Sequence, residues 1–382
     1  MKTQKTGISR RQFLQDAGLV FAGVAYATAA TPGKPVETDP DSGAEIVQLT
    51  DDGRHTDDIY GEQPYSPRES NRIAVEHAAS DKRDGGISIV DLTDGSVHPV
   101  VTSNPRFPAF HAWGDYLYYQ ETVGHKLVLR RCHYQTFAKN EVMELPKMEG
   151  RFSYGTVSQD HRYYAVSFHP EAGGSKVLLF DLKTGKRRTL IEGTEYHFKH
   201  EQFSRDGRNR VLIQLNQMPE VKEVLLGELE IGGPQRLFPA DRPHTPRPTG
   251  HEAWVGETGR IFFSAASDPD SAGNVWTAAV TDAGPALAYK GELRFGHVSV
   301  SRCGRYWVGD TGEEGLPIYV GSFASGRCKR AVFSRTVYDG QQWSHAHPYL
   351  TADNRRLIFT SSRDGHPQVY GARLAEGWLE GL

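Results

Sequence analysis

Within six residues near the C-terminus, Gln342-Trp343-Ser344-His345-Ala346-His347 carries three side chains able to hold a metal ion. Residues two apart in an extended chain point to the same face, so His345 and His347 can offer both imidazoles to one point. Imidazole suits divalent transition metals, and the Gln342 amide oxygen would add a ligand without adding charge. Read in isolation, the segment is equally a pair of strand-edge histidines. The two readings separate only if other parts of the chain bring further ligands to the same place.

A polar turn recurs along the sequence: Ser66-Pro67-Arg68, Ser158-Gln159-Asp160, Ser204-Arg205-Asp206, Val255-Gly256-Glu257, Ser301-Arg302-Cys303 and Thr351-Ala352-Asp353. Each precedes a short apolar run, such as Val211-Leu212-Ile213 or Leu357-Ile358-Phe359, which is the signature of strand, tight turn, strand. The last five anchors are 46, 51, 46 and 50 residues apart, and the 92 residues from Ser66 to Ser158 leave room for one more unit around Phe110-His111-Ala112-Trp113. Third strands follow, as in Ile87–Leu92 and Lys176–Leu182. The period and the absence of amphipathic helices predict an all-β fold, a seven-bladed β-propeller of four-stranded blades. Its last blade lacks an outer strand after Val369-Tyr370, while Glu45–Thr50 has the form of a strand without a blade. An N-terminal strand completing the last blade would close the ring and remove the exposed edges.

Counting back four residues from each anchor gives Glu62, Tyr154, His200, His251, His297 and His347. If the repeats superpose, these residues share one height on the innermost strands and line the central funnel. His297 then joins His345, His347 and Gln342 as a four-ligand cluster across the sixth and seventh blades. Three neutral imidazoles and an amide would leave most of the ion's charge available to an anionic ligand.

Residues 1–30 are set apart from the fold. Ser9-Arg10-Arg11-Gln12-Phe13-Leu14 is a twin-arginine pattern, followed by an apolar stretch from Ala17 to Ala27 and the cleavable Ala27-Thr28-Ala29. The apolar stretch is shorter than the roughly 20 residues of a membrane-spanning helix. The expectation is a signal peptide read by the twin-arginine export machinery, and a periplasmic or secreted single β-propeller domain over residues 31–382 with no stable membrane span. A net charge of −3 argues against a nucleic-acid partner. Cys132, Cys303 and Cys328 are too few and too odd in number for a disulfide framework. Cys303 and Cys328 fall in one repeat and are expected as buried free thiols, with a mutual bridge as the alternative.

From Ser42-Gly43-Ala44-Glu45 to Val369-Tyr370, the chain resembles the oligogalacturonate lyases, the seven-bladed propeller enzymes of polysaccharide lyase family 22. The specific part of the resemblance is Gln342-x-x-His345-x-His347 with His297 and His251-Glu252-x-Trp254. It implies that these ligands hold a divalent ion, most commonly Mn2+, and that His251 abstracts a proton. His55, Tyr154, His200 and Lys222 fall where that family binds substrate. Two arginines of the family are replaced: Thr56 and Asp57 follow His55, and Pro219-Glu220-Val221-Lys222 offers a lysine. Lysine keeps the charge without the bidentate fork.

The implied function is metal-dependent β-elimination on an oligouronide. The C5 proton of a uronate is weakly acidic until the adjacent carboxylate is neutralised, and a bound cation does that. An imidazole is a suitable general base for its removal. A non-catalytic saccharide-binding or protein-interaction propeller is the alternative.

Overall fold

The computed structural model describes residues 33–382, except 52, 80, 81, 103, 104, 339 and 340. The twin-arginine segment lies outside the described residues. Among those described, the fold is all-β and propeller-like, with helical structure confined to the 3-10 turns Gln342–Ser344 and Leu379–Gly381. No described helix is long and apolar enough to cross a membrane.

The strands form antiparallel meanders whose period follows the turn signature. In the unit starting at Tyr196–Phe203, the chain returns through Arg210–Gln217, Val224–Glu230 and Gln235–Leu237, each hydrogen-bonded to the one before. Four-stranded sheets of the same order begin at His55–Asp57, Pro248–Trp254 and Phe295–Val300. The turns are held by their anchor hydroxyls: Ser301 Oγ accepts from the Tyr306 amide at 3.1 Å and Thr351 Oγ1 from the Arg356 amide at 3.1 Å. The polar anchors therefore end one strand and start the next at fixed offsets.

Two features depart from seven separate four-stranded blades. Pro105–Phe110 and Gly150–Val157 run parallel and pair at Gly155 with Ala109 and at Thr156 with Phe110, which fuses two meanders into one eight-stranded sheet. The sheet built on Tyr349–Leu350, Arg356–Ser361 and Gln368–Arg373 has five strands. Glu45–Gln48 pairs with Gln368–Arg373, as the closing-strand expectation requires, and Lys34–Thr38 then adds outside it. That last strand carries little apolar patterning and is mostly exposed, so no hydrophobic signal marks it in the sequence.

Burial holds neighbouring sheets together. Val211, Ile213 and Leu215 pack against Ala165, Val177 and Leu179 of the preceding sheet, while Leu212 and Leu226 on the opposite face meet Trp254, Ile261 and Phe263 of the next. Alternate residues of one strand thus serve two interfaces, which fixes register, because a one-residue slip would exchange the faces. All three cysteines are free; Cys132 is buried, but Cys328 is half-buried and Cys303 exposed, because Cys303 sits in the hairpin turn rather than in a strand.

Candidate metal centre and base

A β-bulge interrupts the first strand of successive sheets at the height of the histidine ring. The register shifts between Phe152 and Gly155, between Lys199 and Gln202, between Pro248 and Glu252, and between Phe295 and Val298. Tyr154, His200, His251 and His297 all fall inside these shifts. A bulge leaves its extra residue outside the ladder and re-aims its side chain, and bulges are frequent beside active sites. His200 at φ 63° and His347 at φ 41° occupy the left-handed region, a conformation that costs a non-glycine residue roughly 1–3 kcal/mol.

Three histidines meet as the repeat count requires. The ligating nitrogens of His297, His345 and His347 all lie within 4.8 Å of one another. His297 Nε2 is 2.9 Å from His345 Nδ1, and Gln342 Nε2 is 3.0 Å from His347 Nε2. Half a turn of that amide would bring its oxygen to the same point. His297 and His347 are buried. Three imidazoles and an amide within this span fit a divalent transition metal, and they would hold it with neutral ligands.

An acidic residue fixes the outer edge of the cluster. Asp310 lies on the strand opposite the His297 bulge; its Oδ1 accepts from the His297 amide and its Oδ2 faces His297 Nδ1, each at 2.8 Å. Tyr338 donates to the same Oδ2 at 3.0 Å. Ligating histidines commonly use their second nitrogen in this way, and such partners orient the ring. Burial alone would lower the His297 pKa, but the Asp310 carboxylate holds it above the ordinary value. Burial pushes Asp310 up, and His297 outweighs it, leaving that carboxyl below the usual range.

His251 stands beside the cluster, its ring centroid 4.4 Å from that of His297. Its Nδ1 is in close contact with Oε1 of the buried Glu62, so Nε2 is the nitrogen left for another partner. Burial drives the His251 pKa well down, and the charges of His297 and His200 add to the fall. Burial lifts Glu62 to about 7 against the pull of His297. Next along the ring, His200 Nδ1 lies 3.3 Å from Glu252 Oε1, and its Nε2 meets the Tyr60 hydroxyl at 3.2 Å. The Tyr60 ring then reaches His347 at a centroid distance of 4.8 Å, linking the two sides.

The remaining sequence candidates fall elsewhere. Tyr154 packs its ring on Phe107 at 4.8 Å and directs its hydroxyl to Glu76 at 3.5 Å. His55 lies beside Trp343 and His366, at centroid distances of 6.1 and 6.2 Å. Lys222 is about three-quarters exposed and pairs with Glu220 at 3.2 Å. Sequence reasoning placed Glu62 on the ring without giving it a role. It missed Tyr60 and Asp310, which lie off the counted phase; the register opposite the His297 bulge is the signal that finds Asp310.

The fold and site together define a propeller-like protein whose sheets bring histidines to one bulged ring. No protein-family model and no curated protein matches the chain. Among solved structures, it is similar to an oligogalacturonate lyase in complex with manganese, with a TM-score of 0.72 and 18% identity, covering 92% of this chain and 100% of that one. An oligogalacturonate lyase from Vibrio parahaemolyticus is similar to the same degree, at TM-score 0.72 and 14% identity, covering 91% and 100%. A prolyl endopeptidase structure shares less, at TM-score 0.54 and 14% identity, covering 84% of this chain and 49% of that one. At these identities the likeness shows the fold.

Proposed function

We propose that the chain is a metal-dependent lyase that cleaves uronate-containing oligosaccharides by β-elimination. The observation that carries this reading is the 4.4 Å approach of His251, backed by Glu62, to a three-histidine cluster. The two similar lyase structures, one of them in complex with manganese, support the same reading. We read the eight-stranded sheet as two blades joined at two residue pairs, which gives seven blades in all. We further read the chain as exported through its Arg10-Arg11 signal.

His297, His345, His347 and Gln342 would hold a divalent ion, Mn2+ by analogy, which when bound would neutralise the uronate carboxylate and acidify the C5 proton. His251 Nε2 takes that proton, because Nδ1 is turned to Glu62. The pair of electrons left at C5 forms the C4–C5 double bond, the C4–O bond breaks, the departing oxygen takes a proton from water, and His251 returns its proton to the resulting hydroxide. Glu62 orients the imidazole throughout and, when ionised, balances the charge that the ring acquires. Low basicity keeps His251 uncharged before the reaction, so it is free to accept.

Absorbance near 235 nm reports the unsaturated product. The protein, loaded with manganese and offered a panel of oligouronides, is expected to produce a rise with at least one of them. Metal-loaded protein that gives none with any substrate contradicts the reading. Saccharide binding without turnover, unchanged in His251→Ala, would instead indicate a binding propeller.

A further inference from the structure

The family resemblance implies a substrate-binding cation at Lys222, a side chain that is exposed and pairs with Glu220. Lys199 is the contrasting lysine. It is half-buried on Tyr196–Phe203, at the position just before the bulge that turns out His200. Among the described residues, it has no ion-pair partner.

Register fixes the direction of Lys199. It lies directly opposite Gln214 on Arg210–Gln217, and directly opposed residues project from the same face of a sheet. The neighbouring Phe198 and Leu215 occupy the other face, against the preceding sheet. Gln214 reaches the next sheet: its amide nitrogen would be 2.8 Å from a Cβ placed on Gly250. Gly250 immediately precedes His251. Lys199 therefore rises beside the strand that carries the base, on the side where Glu252 meets His200. The same neighbourhood is visible electrostatically, since burial lowers the Lys199 pKa while Glu252 and Glu62 oppose the fall. An ammonium in such a place lacks full hydration and a direct counter-ion, so an incoming anion would gain both its charge and its hydrogen bonds.

We propose that Lys199 is the specificity-determining cation of the funnel, binding a carboxylate of the oligouronide alongside His251. This rests on the lyase reading for its substrate class, while the charge preference itself can be measured without turnover. Lysine acts here as a point charge rather than a fork, and it would select uronides over neutral sugars without demanding one carboxylate orientation.

The test uses the full chain with added manganese and two probes, digalacturonate and its carboxyl-reduced neutral counterpart. Lys199→Gln is expected to raise KM for digalacturonate about 10-fold, the scale of one hydrogen bond to a charged group, with a smaller change in kcat. Lys199→Arg should recover most of the loss, and metal content should match the parent in both variants. Calorimetry in the His251→Ala background should show the same 10-fold weakening for digalacturonate and none for the neutral sugar. A parent that binds digalacturonate without cleaving it removes the lyase reading but keeps this inference if Lys199→Gln abolishes the preference for the charged probe. Unchanged KM and affinity in Lys199→Gln, equal loss with both probes, or a parent that binds neither would overturn it.

Discussion

His297 and His251 sit 4.4 Å apart on equivalent bulges of adjacent sheets, and each has its Nδ1 against a buried carboxylate, yet their electrostatics are opposite. Asp310 keeps His297 above the ordinary histidine range, whereas burial and its cationic neighbours push His251 far below it. Two imidazolium ions this close would repel strongly, so protonation of one suppresses that of the other. The carboxylates divide in the same way: Asp310 stays low and Glu62 rises to about 7. One geometric motif thus yields two chemical tools. A ring tied to an ionised carboxylate is oriented as a ligand, and a ring kept neutral can take a proton.

The largest effect is expected on removing the proposed base while leaving the candidate ligands. His251→Ala should lower kcat by roughly 10²–10⁴, the usual worth of a positioned proton acceptor, with metal content unchanged by elemental analysis. Loss of metal together with activity would make His251 a ligand instead. Asp310→Asn attacks the other member of the comparison. It should weaken manganese affinity by about 10–100-fold while the protein stays folded. Glu62→Gln preserves size and one acceptor but not the charge, and should reduce kcat by about 10-fold or more through a misplaced ring, with the metal affinity retained.

The smallest effect concerns stability, in the adjacent residue of the same bulged strand as His200. Glu201 is buried in contact with Ser167, and burial lifts its carboxyl from 4.5 to about 8. Between those values the folded chain binds more protons than the unfolded one, so this group's contribution to stability falls as pH rises and is fully lost above about 8. Glu201→Gln should flatten that part of the stability curve, with a gain of about 1–3 kcal/mol at the alkaline end relative to the parent. Denaturant melts at several pH values would read it, and parallel curves for parent and variant would contradict it.

The ring of histidines was legible because the turn anchors recur and the side chains four residues earlier repeat in type. The closing strand Glu45–Gln48 was legible for a similar reason, since Glu45–Thr50 reads as a strand without a blade while the last repeat lacks an outer strand. The functional aim of each side chain was not. It depends on an extra residue in the first strand, as between Phe295 and Val298, and that strand is buried on both faces, so it carries no apolar–polar alternation whose break would reveal the insertion. Asp310 and Lys199 became visible only through the strands opposite them, whereas Lys222 came from the family resemblance, which aligns its stretch with an arginine and carries no information on exposure or pairing. The fused eight-stranded sheet escaped for a related reason: two first strands 45 residues apart pair in parallel only after the sheets converge.

A crystal structure of His251→Ala with manganese and digalacturonate would show whether the histidine cluster and residue 251 face the same sugar. The ion is expected on His297, His345, His347 and Gln342, with a uronate carboxylate on that ion and C5 facing the space vacated by the His251 ring. An ion held elsewhere, or a sugar whose carboxylate does not reach the histidine cluster, would contradict it.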